Sequence, residues 1–220
     1  MNFSIAEIFA AYVCLLFCLT LHEAAHAWVA DRAGDSTGRL LGRITLNPLA
    51  HMDLFGTVIF PLIMMLTGLP VFGWAKPVPF NASNLKNRRW GPVVVALAGP
   101  LSHLVQLVVL IVVARAAFYL FQPDISTVAG SPWVLLLVLL VQINLVLMLF
   151  NLIPVPPLDG HHVLYAFLPP AGQRMMERIG PFGILIALLI MRYGMGAPLA
   201  FLRDMVWFLL FGGLGMATMA

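Results

Sequence analysis

Charge is scarce in this chain. Only 10% of its 220 residues are Asp, Glu, Lys or Arg, against 61% hydrophobic. A soluble domain is about one quarter charged and roughly half apolar. That excludes a water-soluble globular body and leaves lipid as the solvent for most of the chain. Glutamate is scarce, with three copies at Glu7, Glu23 and Glu177. Cysteine is rarer still, with Cys14 and Cys18 alone. Spaced i, i+4 in one apolar run, these two are no disulfide framework. They share a face with His22 and His26, which raises metal binding, but small packing residues is the favoured reading. Repeats and low-complexity tracts are absent. No Lys or Arg precedes the first apolar run, and cleavage after it would discard His22, so it reads as a retained helix and not a signal peptide. The formal net charge of +3 sets orientation in a membrane chain and does not indicate a nucleic-acid partner.

What is present is apolar length. Segments low in charge run over about 4–31, 54–72, 91–121, 132–152, 180–193 and 197–219. A span needs roughly 20 apolar residues. The first, third and fourth segments meet that easily; the fifth is short and the last is rich in glycine. Gly56, Pro61, Gly68 and Pro70 interrupt 54–72. The stretch 36–53, "STGRLLGRITLNPLAHMD", has the partial alternation of short strands. The expected fold is therefore an all-α polytopic membrane protein of about five to six transmembrane helices, with a β-hairpin-like re-entrant stretch near 36–53. No segment is polar enough for a separate soluble module. The chain reads as a single membrane-embedded domain over 1–220, with its core at about 4–168 and C-terminal helices within 180–219.

Inside the first run lies His22-Glu23-Ala24-Ala25-His26, an H-E-x-x-H match. On a helix, i and i+4 share a face, so both imidazoles can reach one divalent ion, expected to be zinc. The ion lowers the pKa of water toward about 7, and the adjacent Glu23 carboxylate takes the proton. The bland alternative is a set of satisfied core polar groups. The bilayer makes that costly, because an ionised side chain at helix centre costs on the order of 2.5–3.5 kcal/mol. Glu23 is the one charged residue between Ile8 and Ala30.

A catalytic zinc takes a third protein ligand. The extended motif ending G-x-x-H is ruled out, because Val29 and Arg32 stand at its positions. Glu177 lies in the charged "RMMER". Asp31, Asp35, Asp53, Asp124 and Asp204 sit at segment ends or in polar loops. Asp159 differs: it follows an apolar span and the break "NLIPVPPLDG" (151–160), with no Lys or Arg within ten residues. A plain Asp-Gly turn and a ligand returned toward the bilayer by a broken helix are the two readings, and the second is favoured.

"HEAAH" together with the downstream "FNLIPVPPLDG" resembles the site-2 protease family of intramembrane zinc metalloproteases. The downstream pattern matches at Asn151, Pro154, Asp159 and Gly160. "NPLAHMD" (47–53), "FGWAKPVP" (72–79) and "AGPLS" (98–102) are similar to the small branch of that family without PDZ or CBS domains. The resemblance covers roughly 15–168. It implies that His22, His26 and Asp159 hold one zinc, that Glu23 activates water and that Asn151 contacts substrate backbone. Two departures stand out: His103 follows "GPLS" where the family often has Asn, and His161 and His162 follow the Asp-Gly pair. With His51, these histidines are candidates for orienting the ligands.

Asn144 and Asn151 lie two turns apart on one face, able to bond a substrate backbone or to join helices. A strand edge in 36–53 could pair with an unwound substrate. The expected activity is hydrolysis of transmembrane segments of other membrane proteins. The alternative is a membrane metal-binding protein without peptidase activity, for which Glu23 would have no use. His22 and His26 lie in the C-terminal half of the first helix and Asp159 follows 132–152. Those two helices should run the same way, so 54–72 should dip and return without crossing. Arg32, Arg39, Arg43, Lys76, Lys86, Arg88, Arg89, Arg174 and Arg178 then share one side, leaving Arg115, Arg192 and Arg203 opposite. Basic residues concentrate on the cytoplasmic side, which puts the mouth of the site there.

Overall fold

Local chemistry fixes both ends of the first long helix, α1 (Ile5–Ala33). The Ser4 hydroxyl accepts from the Glu7 amide, and the Glu7 carboxylate accepts from the Ser4 amide at 2.7 Å; together they satisfy two orphan donors. Gly34 closes the helix at φ 114°, and a Cβ there would also press on the Asn84 carbonyl, so glycine is required twice over. The computed structural model describes residues 4–67, 73–121 and 131–212. The other helices are α2 (Thr37–Leu40), α3 (Phe60–Thr67), α4 (Gly91–Phe121), α5 (Pro132–Asn151), α6 (Gly160–Phe167), α7 (Pro170–Ile179), α8 (Gly183–Gly194) and α9 (Gly196–Phe211).

Three helices, α1, α4 and α5, are long and apolar enough to cross a bilayer. A fourth span is available if the run 170–194 and α9, bent by 66° at their junction, count as one. The expectation of five to six spans is therefore reduced to three or four among the described residues. The missing spans are too short: α8 has 12 residues and α9 has 16. The segment from Leu54 is a six-residue π-helical turn followed by the eight residues of α3.

The strands expected in 36–53 do not form. The Asp35 carboxylate accepts from the Thr37 amide and hydroxyl, which starts the single turn α2. Gly42 then turns the chain at φ 69°, and Pro48–Ala50 make a 3-10 turn. The apolar residues Leu40, Leu41, Leu46 and Leu49 all lie exposed, so no buried face of alternating residues forms here.

Helix directions follow from contacts. His26 and His22 on α1 meet Val95 and His103 on α4, so α4 runs antiparallel to α1. Cys18 meets Asn144, and Leu19, His22 and Glu23 share a cavity with Leu147, Phe150 and Asn151, so α5 runs parallel to α1. The chain between α1 and α4 thus starts and ends at one end of the bundle. The Trp74 amide donates to the Gly56 carbonyl at 3.1 Å, so the described residues on either side of the expected dip lie side by side; 68–72 lie outside the described residues. A second apolar cluster of Leu107, Val141, Leu145, Val206 and Leu210 joins α4, α5 and α9.

Candidate metal centre

One helical turn apart on α1, His22 and His26 bring their Nε2 atoms to 3.0 Å of each other. Asp159 arrives from a different direction. Pro154, Pro156 and Pro157 prevent α5 from continuing, and the loop 152–159 folds back. Gly160 permits this, because a Cβ there would overlap the Leu152 and Ile153 carbonyls. Asp159 Oδ2 then stands 3.2 Å from His22 Nε2, and Oδ1 stands 3.4 Å from His26 Nε2. All three ligand atoms lie within 4.8 Å of one another.

These residues fit a zinc ion. Ligands 2.0–2.1 Å from a tetrahedral zinc stand roughly 3.3–3.4 Å apart, close to the three separations here. The His26 Nδ1–H donates to the Val95 carbonyl at 2.8 Å. Since that oxygen only accepts, a neutral His26 turns a lone pair at Nε2 toward the group. Asp159 Oδ2 is buried without a hydrogen-bond partner among the described residues. A cation between these groups supplies what each lacks. The backbone of α4 comes close enough to floor the site: a Cβ on Gly99 would lie 2.5 Å from His26 Nε2 and 2.6 Å from His22 Nε2.

Glu23, almost fully buried, accepts from the Val78 amide at 2.9 Å. That amide belongs to a non-helical run, 73–80, held by Trp74 to Gly56 and by Lys76 to the His51 carbonyl at 2.8 Å. Its prolines, Pro77 and Pro79, contribute no amides. Between this run and α5 lies a cavity of about 100 Å³ lined by Leu19, His22, Glu23, Trp74, Phe150 and Asn151, among others.

The structure separates the two asparagines. Asn151 lines the cavity and donates to the Leu147 carbonyl at 3.0 Å. Asn144 is fully buried and accepts from His103. Of the other histidines, His51 bonds the Thr45 carbonyl at 3.0 Å, His161 bonds the Leu158 carbonyl at 2.6 Å and His162 packs against Phe80; none joins the ligand group. Sequence reasoning missed the Val78 amide, the Val95 carbonyl and Gly99. Backbone groups leave no mark in residue identity, and the only signal for Gly99 was the "AGPLS" stretch.

A helical membrane bundle with a two-histidine, one-carboxylate metal centre beside a buried glutamate defines a class: the membrane-embedded metallopeptidases. Comparisons with known proteins agree. A model of Peptidase family M50 matches residues 116–191, which include Asp159 but not His22 or His26. The chain is 36% identical over 184 residues to the Bacillus subtilis protein named "Putative zinc metalloprotease YwhC", covering 81% of this chain and 78% of that one. It is 30% identical over 177 residues to "Putative zinc metalloprotease Rip2" of Mycolicibacterium smegmatis, covering 80% of this chain and 64% of the relative. No solved structure matches it. The chain belongs to Peptidase family M50, the site-2 protease family of membrane metalloproteases.

Proposed function

We propose that the protein is an intramembrane zinc endopeptidase that cuts transmembrane segments of other membrane proteins, with Glu23 as the general base. His22, His26 and Asp159 hold the ion, which when bound supplies Lewis-acid chemistry that acidifies water and polarises a carbonyl. Glu23 takes the proton from water in the cavity and passes it to the leaving amine. The Val78 amide fixes Oε2 of a carboxylate that lines the cavity. The observation that carries this reading is the placement of Glu23: it lines the same cavity as His22 and Asn151, a position without use in a simple metal carrier.

A helix is about 10–12 Å across with its side chains, far wider than this cavity, so the substrate enters unwound. Its exposed peptide groups need partners. Asn151 and Ala75 both line the cavity, and the Ala75 amide has no partner among the described residues. The run 73–80 therefore takes the role that the sequence suggested for 36–53.

The test uses the full chain in liposomes with a model transmembrane substrate, comparing wild type with Glu23→Gln. The variant should keep its zinc and lose cleavage by roughly 10²- to 10⁴-fold. Cleavage at the wild-type rate by zinc-loaded Glu23→Gln protein would end the proposal.

A further inference from the structure

Behind His22, away from the cavity, a chain of buried polar groups crosses three helices. His22 Nδ1 and His103 Nε2 are 3.0 Å apart. His103 Nδ1 and Asn144 Oδ1 are 2.8 Å apart. Asn144 Nδ2 lies 2.8 Å from the Leu140 carbonyl and 3.3 Å from Cys18 Sγ. His103, Asn144 and Cys18 are each 0% exposed, so no outside water can stand in for a missing partner.

The direction of every bond in the chain is fixed by its far end. The Leu140 carbonyl can only accept, so the Asn144 NH₂ must face it. The amide oxygen of Asn144 must then face His103, and His103 Nδ1 must carry its proton. In a neutral imidazole the other nitrogen is a lone pair, so His103 Nε2 accepts. His22 Nδ1 must therefore donate, which leaves His22 Nε2 as a lone pair aimed at Asp159 and His26. Reversing any one link would set two N–H groups, or two lone pairs, against each other in a fully buried site.

We propose that His103 and Asn144 are positioning residues that pass the polarity of the Leu140 carbonyl on α5 through α4 to His22 on α1, and so hold His22 in the tautomer and orientation that binds metal. The inference rests on His22, His26 and Asp159 being the metal site. It gives Asn144 a role distinct from substrate contact. His26 needs no such chain, because the Val95 carbonyl directs it alone.

Zinc affinity of the purified full chain, measured by chelator competition, tests the proposal. His103→Leu removes the acceptor at similar volume and should weaken binding roughly 10- to 100-fold. His103→Gln puts an acceptor where Nε2 was and should recover most of that loss. Asn144→Leu should also weaken binding, yet add less than about twofold in the His103→Leu background, since a relay already broken cannot be broken again. Two merely structural residues would give effects that multiply. Affinity within about twofold of wild type in folded His103→Leu protein, or multiplicative losses in the double variant, overturns the relay. Imidazole ¹⁵N shifts of the unsubstituted protein test it without any variant: His22, His26 and His103 should all be Nδ1–H, and an Nε2–H tautomer at His103 overturns it. An Asp159→Ala arm separates the two ideas. If that substitution leaves zinc affinity unchanged, the metal site itself is misassigned; if it abolishes binding while His103→Leu does not weaken it, only the relay fails.

Discussion

Gly99 shows how much one missing carbon can matter. Its backbone is ordinary helix, so conformational freedom does not explain it. The reason is the approach of α4 to the two imidazoles, which a Cβ would occupy. Gly99→Ala should lower zinc content of the purified protein at least tenfold while its circular dichroism stays helical, because alanine is the better helix former by about 1 kcal/mol. Gly196→Ala, at a site where a Cβ meets nothing within 4 Å, should change neither; equal zinc content in all three proteins would dismiss the close-approach argument. The same scale shows what a sequence can reveal. His22, Glu23 and His26 were legible because ionisable groups are expensive in an apolar run, and Asp159 because it stood apart from every basic residue. Val78 was not, since the group that holds Glu23 is a peptide N–H that any residue except proline would supply.

Among elements, the turn after α1 depends on Asp35. This carboxylate is 0% exposed and accepts from Thr37 Oγ1 at 2.6 Å, the Asn81 amide at 2.6 Å and Asn84 Nδ2 at 2.9 Å, besides the Thr37 amide. Burial alone would push its pKa up, but these donors outweigh burial and hold it below the usual carboxylate value. A depressed folded pKa stabilises the fold above the unfolded value near 3.9, and that contribution is lost as pH falls through the folded value. Thermal unfolding should therefore shift down on acidification below about pH 4, and Asp35→Asn should flatten that part of the profile. Asp35→Ala should cost about 1–3 kcal/mol at neutral pH through stranded donors. Profiles that superimpose for wild type and Asp35→Asn would count against this. Asp35 also explains why long elements were readable and short ones were not. The apolar runs 91–121 and 132–152 became α4 and α5 almost residue for residue. The 36–53 stretch instead follows bonds to residues far along the chain, which periodicity does not encode.

At the scale of the whole molecule, aromatic side chains mark where the bilayer ends. Trp28, with Arg32 against its ring, and Trp90, beside Arg89, are exposed at one end of the bundle; Tyr119, at the end of α4, and Trp133, at the start of α5, are exposed at the other. Such residues favour the membrane–water interface. His22 is six residues before Trp28 on α1, so the centre lies about 9 Å inside that boundary. Most of the basic residues flank the same end, and we propose that it faces the cytoplasm. Single cysteines at Arg39 and Ser83, on a background lacking Cys14 and Cys18, should react with an impermeant reagent from the same side of the membrane. Labelling from opposite sides would mean that 54–72 crosses after all.

The division of the centre between α1 and the loop after α5 also sets a delay. Asp159 is synthesised roughly 130 residues after His26, on the order of ten seconds at about 5–20 residues per second. During that interval the two histidines are already in the membrane, but the carboxylate that completes the group does not yet exist. A ribosome-bound chain ending before Asp159 should therefore not hold the ion tightly. The peptidase would thus stay inert while its own apolar segments up to 132–152, the kind of chain it is proposed to cut, are entering the bilayer beside it.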